Sequence, residues 1–90
     1  MAAIETTCEI VNTKGLHVRA APVLAQLAAT FTSTVVLEHG GEQANAKSVM
    51  NLLLLTAPVG ATVKVIVNGD DAREALEAVE SLIAQGFGES

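Results

Sequence analysis

The sequence predicts an α+β fold: a two-layer open-faced sandwich in the order β-α-β-β-α-β-α, with a four-stranded antiparallel sheet and three helices on one face. Three observations carry this. Residues 3–11 and 62–68 alternate apolar and polar side chains, the mark of strands with one dry and one wet face. Two longer segments, from residue 20 and from residue 72, repeat their apolar residues at helical spacing, so each helix has one face to bury. One-faced strands and one-faced helices hide those sides against each other in two layers. The 90 residues make a single domain, 1–90, with no internal repeat, linker or low-complexity segment.

The elements follow in order. In the first strand Ile4, Cys8 and Ile10 point one way and Glu5, Thr7 and Glu9 the other. Asn12-Thr13-Lys14-Gly15 is a turn by composition. From His17 the period changes, and Ala20, Leu24, Leu27, Ala28 and Phe31 define one helical face. Pro22 is compatible with a first helical turn, where its missing N–H has no intrahelical partner, so the helix starts near His17 or Val18. Residues 34–39 form a β-branched strand, Gly40-Gly41 a hairpin turn and residues 42–46 a short returning strand. Ser48 caps a brief helix over residues 49–56, which Ala57-Pro58-Val59-Gly60 breaks. After the strand at 62–68, Asp71 with Glu74 resembles a capping box that opens the last helix. Ala72, Ala75, Leu76, Val79, Leu82 and Ile83 are its stripe, and Gly86 its stop. Phe87, between two glycines, is expected to fold back onto the core.

Composition narrows the function. The net charge is −5, and Lys14, Arg19, Lys47, Lys64 and Arg73 are the basic residues, which argues against nucleic-acid binding. Two phenylalanines are the whole aromatic complement, so a deep aromatic-lined ligand pocket is not expected and a surface that meets other proteins fits better. The lone Cys8 forms no internal disulfide and is expected to pack in the interior. No leader opens the chain, and its longest apolar run is too short to span a bilayer; the reading is a soluble cytoplasmic monomer without direct membrane insertion. Cys8, His17 and His39 lack metal-ligand spacing, and Gly40-Gly41 lacks the rest of a P-loop, so neither a metal nor a cofactor is expected.

The most informative segment is Gly15-Leu16-His17-Val18-Arg19-Ala20-Ala21-Pro22. Imidazole titrates near neutral pH, so a nucleophilic ring nitrogen is available at His17. A helix start presents free N–H groups and a partial positive charge that stabilise a phosphoryl group. Arg19 adds a planar cation for phosphate oxygens, and convergence with His17 requires the irregular start of the helix, because residues two apart within a helix do not face each other. Gly15 allows a tight turn and a close approach by a partner's backbone. Alone, a histidine near an arginine is also what an ordinary surface histidine looks like.

This string, in its strand-turn-helix setting, resembles the active-site motif of the histidine-containing phosphocarrier (HPr) family of the bacterial phosphoenolpyruvate-dependent phosphotransferase system. The similarity runs along essentially the whole chain, including Ala46-Lys47-Ser48-Val49-Met50 and the Asp-rich lead into the last helix. The resemblance implies that His17 accepts a phosphoryl group on Nδ1, as pros-phosphohistidine, from enzyme I and passes it to an enzyme IIA domain for sugar uptake, regulation or both. It implies that Arg19 stabilises the phosphate, with the backbone N–H groups of Val18 and Arg19 as contacts. It makes Ser48 the match of a regulatory serine phosphorylated by HPr kinase/phosphorylase in many members, a role that coexists with capping. Family members commonly carry proline directly after the arginine; Ala20 stands there in this chain, which leaves the rigidity of the helix start open.

Residues 49–55 are apolar nearly all round. Leu52 and Leu55 suit the sheet side, which leaves Val49, Met50, Leu53 and Leu54 as a docking patch, with Arg19 and Lys47 as its positive rim; a tightly packed core helix is the competing reading. The expected function is therefore a phosphoryl carrier that is itself no enzyme. The alternative is a nitrogen-related regulatory paralogue, towards which Asn12-Thr13-Lys14-Gly15 and Ile83-Ala84-Gln85-Gly86-Phe87 lean. A protein-binding module without turnover at the histidine is a third reading. A small-molecule enzyme fits least, since no acid–base pair or cofactor motif accompanies His17.

Overall fold

The structure, a computed structural model, describes residues 3–89. The elements are β1 (Ile4–Glu9), α1 (Ala20–Ala29), β2 (Thr34–His39), β3 (Glu42–Asn45), α2 (Val49–Leu54), β4 (Thr62–Asn68) and α3 (Ala72–Ala84), followed by a 3₁₀ turn at Gly86–Gly88. The sheet runs β1-β4-β2-β3, and its neighbouring strands pair antiparallel. The expected open-faced sandwich is the fold that forms.

Register explains which side is dry. Val65 pairs with Leu37, which pairs with Ala44, and Val67 pairs with Val35. Those side chains share the face that the helices cover, and all are buried. Leu24 of α1, Leu52 of α2, and Val79 and Ile83 of α3 complete the interior. Each such burial stabilises by about 1.5–3 kcal/mol relative to exposure. Helix α3 lies over β1 and β4 and packs against α1. On the open face Lys64 Nζ stands 3.7 Å from Glu5, an exposed pair that contributes about 0–1 kcal/mol. Cys8 is half-buried against the core, where burial first and Glu80 second push its thiol up. No helix of the described residues is long and apolar enough to cross a membrane.

Three local expectations change. The Asp71 side chain makes no capping bond to α3. Its carboxylate instead accepts from the backbone N–H groups of Thr32 and Ser33, both at 2.9 Å, and from the Ser33 hydroxyl. Asp71 thus ties the α1–β2 connection to the start of α3, a stronger use because Ser33 is almost fully buried and needs a partner. The second change is at α1, whose regular turns begin at Ala20. The His17 carbonyl already accepts from the Ala21 N–H at 2.9 Å, but Pro22 has no N–H to offer Val18, so the hydrogen-bond ladder is interrupted there. Third, α2 ends at Leu54, short of residue 56. Ser48 does cap it, its hydroxyl accepting from the Asn51 N–H at 3.2 Å.

Candidate functional site

The site is built on the connection between β1 and α1. Asn12 and Gly15 close a turn through the Gly15 N–H and the Asn12 carbonyl at 3.1 Å. The Asn12 side chain, buried, braces the same turn by donating to the Gly15 carbonyl at 2.7 Å. Gly15 has φ +70°, a left-handed conformation that costs other residues energy. A Cβ there would lie 2.5 Å from the Ala57 carbonyl oxygen and 2.9 Å from Pro58 Cα. The close approach at Gly15 is therefore made by the protein's own α2–β4 connection, not by a partner. The next residue, Leu16, is buried and donates its N–H to the same Ala57 carbonyl at 2.9 Å. Turn, glycine and buried leucine together fix where His17 emerges.

The His17 ring is held on both edges. Its Nδ1 accepts from the Arg19 backbone N–H at 3.3 Å. Its Nε2 lies 3.0 and 2.9 Å from the two carboxylate oxygens of Glu89. The ring keeps 18% of its side chain exposed. Asn12 Nδ2 also donates to Glu89 Oε1 at 2.9 Å, so one buried amide links the turn to the carboxylate on the ring. Asn12 Oδ1 has no hydrogen-bond partner among the described residues. The hydrogen bond from His17 holds the Glu89 carboxyl below its ordinary range; the bond from Asn12 adds to this, and His17 and Lys14 contribute through charge.

Arg19 meets His17 through its backbone, which differs from the convergence of guanidinium and imidazole expected above. Arg19 already has helical φ and ψ of −94° and −39°, so its amide turns back onto the ring while its side chain projects into solvent. There it lines a shallow cleft of about 300 Å³ with Thr13, Lys14, Gly88 and Glu89. Neither Arg19 nor Lys14 makes an ion pair among the described residues. The cleft thus offers two cations and a hydroxyl, and meets the ring through the Glu89 carboxylate on its wall; the cations outnumber that one acid, a setting that can take an anionic group. Val18 is 71% exposed, and its N–H makes no hydrogen bond among the described residues.

The neighbouring patch is narrower than the sequence suggests. Met50 is 71% and Leu54 76% exposed, whereas Val49 and Leu53 are half-buried against the core. Lys47 is also half-buried; its ammonium donates to the Phe31 carbonyl at 2.8 Å, just past the end of α1, where a cation is favoured. Val18, Val23 and Val59 are further exposed apolar side chains. Among the described residues no group of three or more His, Cys, Asp and Glu side chains could hold a metal ion.

Sequence reasoning did not single out Glu89 or Asn12 as functional. Glu89 is 72 positions from His17 and reaches it because Gly86, Phe87 and Gly88 all adopt positive φ and reverse the chain after α3. Phe87, 3% exposed, anchors that reversal in the core. The aromatic residue between two glycines was the available signal.

Residues 4–85 match the family model described as "PTS HPr component phosphorylation site". The phosphocarrier protein HPr of Cupriavidus necator is 45% identical over 80 residues, covering 89% of this chain and 90% of that protein. The phosphocarrier protein NPr of Shewanella violacea is 38% identical over 90 residues, covering 100% and 99%. The crystal structure of HPr-C-His from Thermoanaerobacter tengcongensis superposes with a TM-score of 0.92 at 40% identity, covering 97% of this chain and 98% of that one.

Proposed function

Because the chain belongs to the HPr family, the phosphocarrier proteins of the phosphotransferase system, we propose that His17 is the residue that carries its phosphoryl group. Nδ1 takes the group from enzyme I charged by phosphoenolpyruvate and yields it to an enzyme IIA domain. The observation that carries this reading is the position of Nδ1: it faces the Arg19 N–H at the start of α1, beside a cleft lined by Arg19 and Lys14. On phosphorylation that N–H, with the Val18 N–H, becomes available to phosphate oxygens, and the guanidinium neutralises their charge. No metal or cofactor takes part, and no small-molecule chemistry is catalysed.

Met50 and Leu54 form the centre of the docking surface, with Val49, Leu53 and Lys47 supporting it from beneath and beside. Partners bind transiently, because a carrier held tightly by its donor cannot reach its acceptor. The protein acts in the cytoplasm as a monomer, neither inserted in membranes nor bound to nucleic acid. Where HPr kinase/phosphorylase is present, Ser48 is its target, since a phosphate there sits at the start of α2 and beside the docking surface.

The whole-chain similarity to NPr supports a second reading, in which phosphorylation state is a nitrogen-related signal and sugar flux is minor. Side-by-side transfer from sugar-type and nitrogen-type enzyme I separates the two. The core test is incubation with phosphoenolpyruvate and enzyme I. Wild type gains one acid-labile phosphate, His17→Ala gains none, and Ser48→Ala is still labelled. Acid-labile label on His17→Ala refutes the assignment.

A further inference from the structure

We infer that Glu89 is a positioning residue for His17, holding the proton on Nε2 so that Nδ1 presents its lone pair to phosphorus. This rests on the phosphocarrier reading and extends it to a side chain from the other end of the fold. The two edges of the ring make different demands. An N–H donor aimed at Nδ1, from Arg19, requires a lone pair there. A carboxylate at 2.9–3.0 Å from Nε2 is satisfied by a proton there. Both contacts select one tautomer, with Nδ1 bare and Nε2 protonated. Asn12 fixes the carboxylate in turn by donating to Oε1, and the buried Phe87 fixes the backbone that carries it. The other charges at the carboxylate are Lys14 and Arg19, which line the same cleft and oppose the build-up of negative charge when a phosphoryl group arrives.

The electron count explains why a carboxylate belongs at Nε2. The Nδ1 lone pair forms the new N–P bond, while the donor's bond to phosphorus breaks and its electron pair leaves with the donor. The ring thereby becomes positively charged and keeps its Nε2–H. Glu89, already hydrogen-bonded to that proton, stabilises the charge as it forms without moving. On donation the N–P electrons return to Nδ1 and the ring is neutral again in the same tautomer. No proton crosses the ring in either direction, so the carrier is ready for the next cycle. A carboxylate orienting a histidine from its far nitrogen is a general device for fixing tautomer and supporting imidazolium character.

The test compares full-length wild type with Glu89→Ala and Glu89→Gln. Glu89 follows the last turn, and circular dichroism checks that both variants keep the fold. In ¹⁵N-histidine spectra the hydrogen-bonded Nε2 proton of His17 is visible in wild type and is lost to solvent exchange in Glu89→Ala. The rate of phosphoryl acceptance from enzyme I falls on the order of 10-fold in Glu89→Ala, as expected when a reacting group loses its orientation. Glu89→Gln, which keeps an acceptor but not the charge, falls in between. An Nε2 proton equally protected in wild type and Glu89→Ala, or acceptance rates within twofold, overturns the inference. If wild type itself accepts no phosphoryl group, the carrier reading fails, while the spectra of the unphosphorylated proteins still decide the role of Glu89 at the ring.

Discussion

Replacing Gly15 with alanine puts the placement of the whole site under test. Two penalties act. Alanine in the left-handed region at φ +70° is disfavoured by about 1–2 kcal/mol. The new methyl would lie 2.5 Å from the Ala57 carbonyl oxygen, so the two segments must separate by about 1 Å to reach ordinary contact. That separation stretches the 2.9 Å bond from the buried Leu16 N–H to the same oxygen, at a cost of about 1 kcal/mol. The sum is about 2–3 kcal/mol, or a fall in melting temperature on the order of 10–20 °C for a domain of this size. Gly40→Ala is the matched control. It has φ +59° and nothing within 4 Å of the added carbon, so it carries the conformational penalty alone. Urea unfolding and calorimetry of both variants give the difference directly. If Gly15→Ala proves no less stable than Gly40→Ala, the packing of the β1–α1 turn on Ala57-Pro58 does not hold the site, and the argument fails.

The acid limb of stability reports on Asp71. The Ser33 hydroxyl first, and the Thr32 amide next, lower its pKa from 3.8 to about 2. A carboxylate depressed in the folded state contributes stability above its unfolded pKa and loses it as pH falls through the folded one. The contribution is thus complete above about pH 4 and lost on acidification towards pH 2, and Asp71→Asn flattens the dependence of urea midpoints on pH across that window; an unchanged slope contradicts the assignment. On the proposed docking face, Met50→Ala and Leu54→Ala change stability by less than about 0.5 kcal/mol, because both side chains are mostly exposed. In transfer assays with enzyme I they raise KM several-fold and leave kcat unchanged; wild-type kinetics in both variants would remove these residues from the docking surface.

The strands at 34–39 and 62–68 were legible to the residue, the first because it is β-branched and apolar and ends at a Gly-Gly turn, the second because Val63, Val65 and Val67 recur at every other position. Ser48 was legible as a cap because a hydroxyl before a helix has a local partner three residues on. Asp71 was equally suited to that role, yet it bonds to Thr32 and Ser33, brought to it by the packing of the α1–β2 connection on the start of α3. Val49 and Leu53 looked as available for docking as Met50 and Leu54; how far a six-residue helix is sunk between its neighbours depends on the sheet and on α1, which no local pattern describes.

Order of elements, sidedness of the sheet and the placing of an imidazole just before a helix start are set by short-range periodicity and turn chemistry, and the chain alone determines them. What surrounds that imidazole is decided by tertiary structure. The Glu89 carboxylate reaches Nε2 from 72 positions away only because Phe87 is buried and the turn around it points the chain back. The Ala57 carbonyl meets Gly15 only because the α2–β4 connection closes over the β1–α1 turn. Hydrogen bonds depend on distances of about 3 Å between groups whatever their separation in sequence, so the histidine can be named from its neighbours in the chain, whereas its partners are known only once the chain has folded.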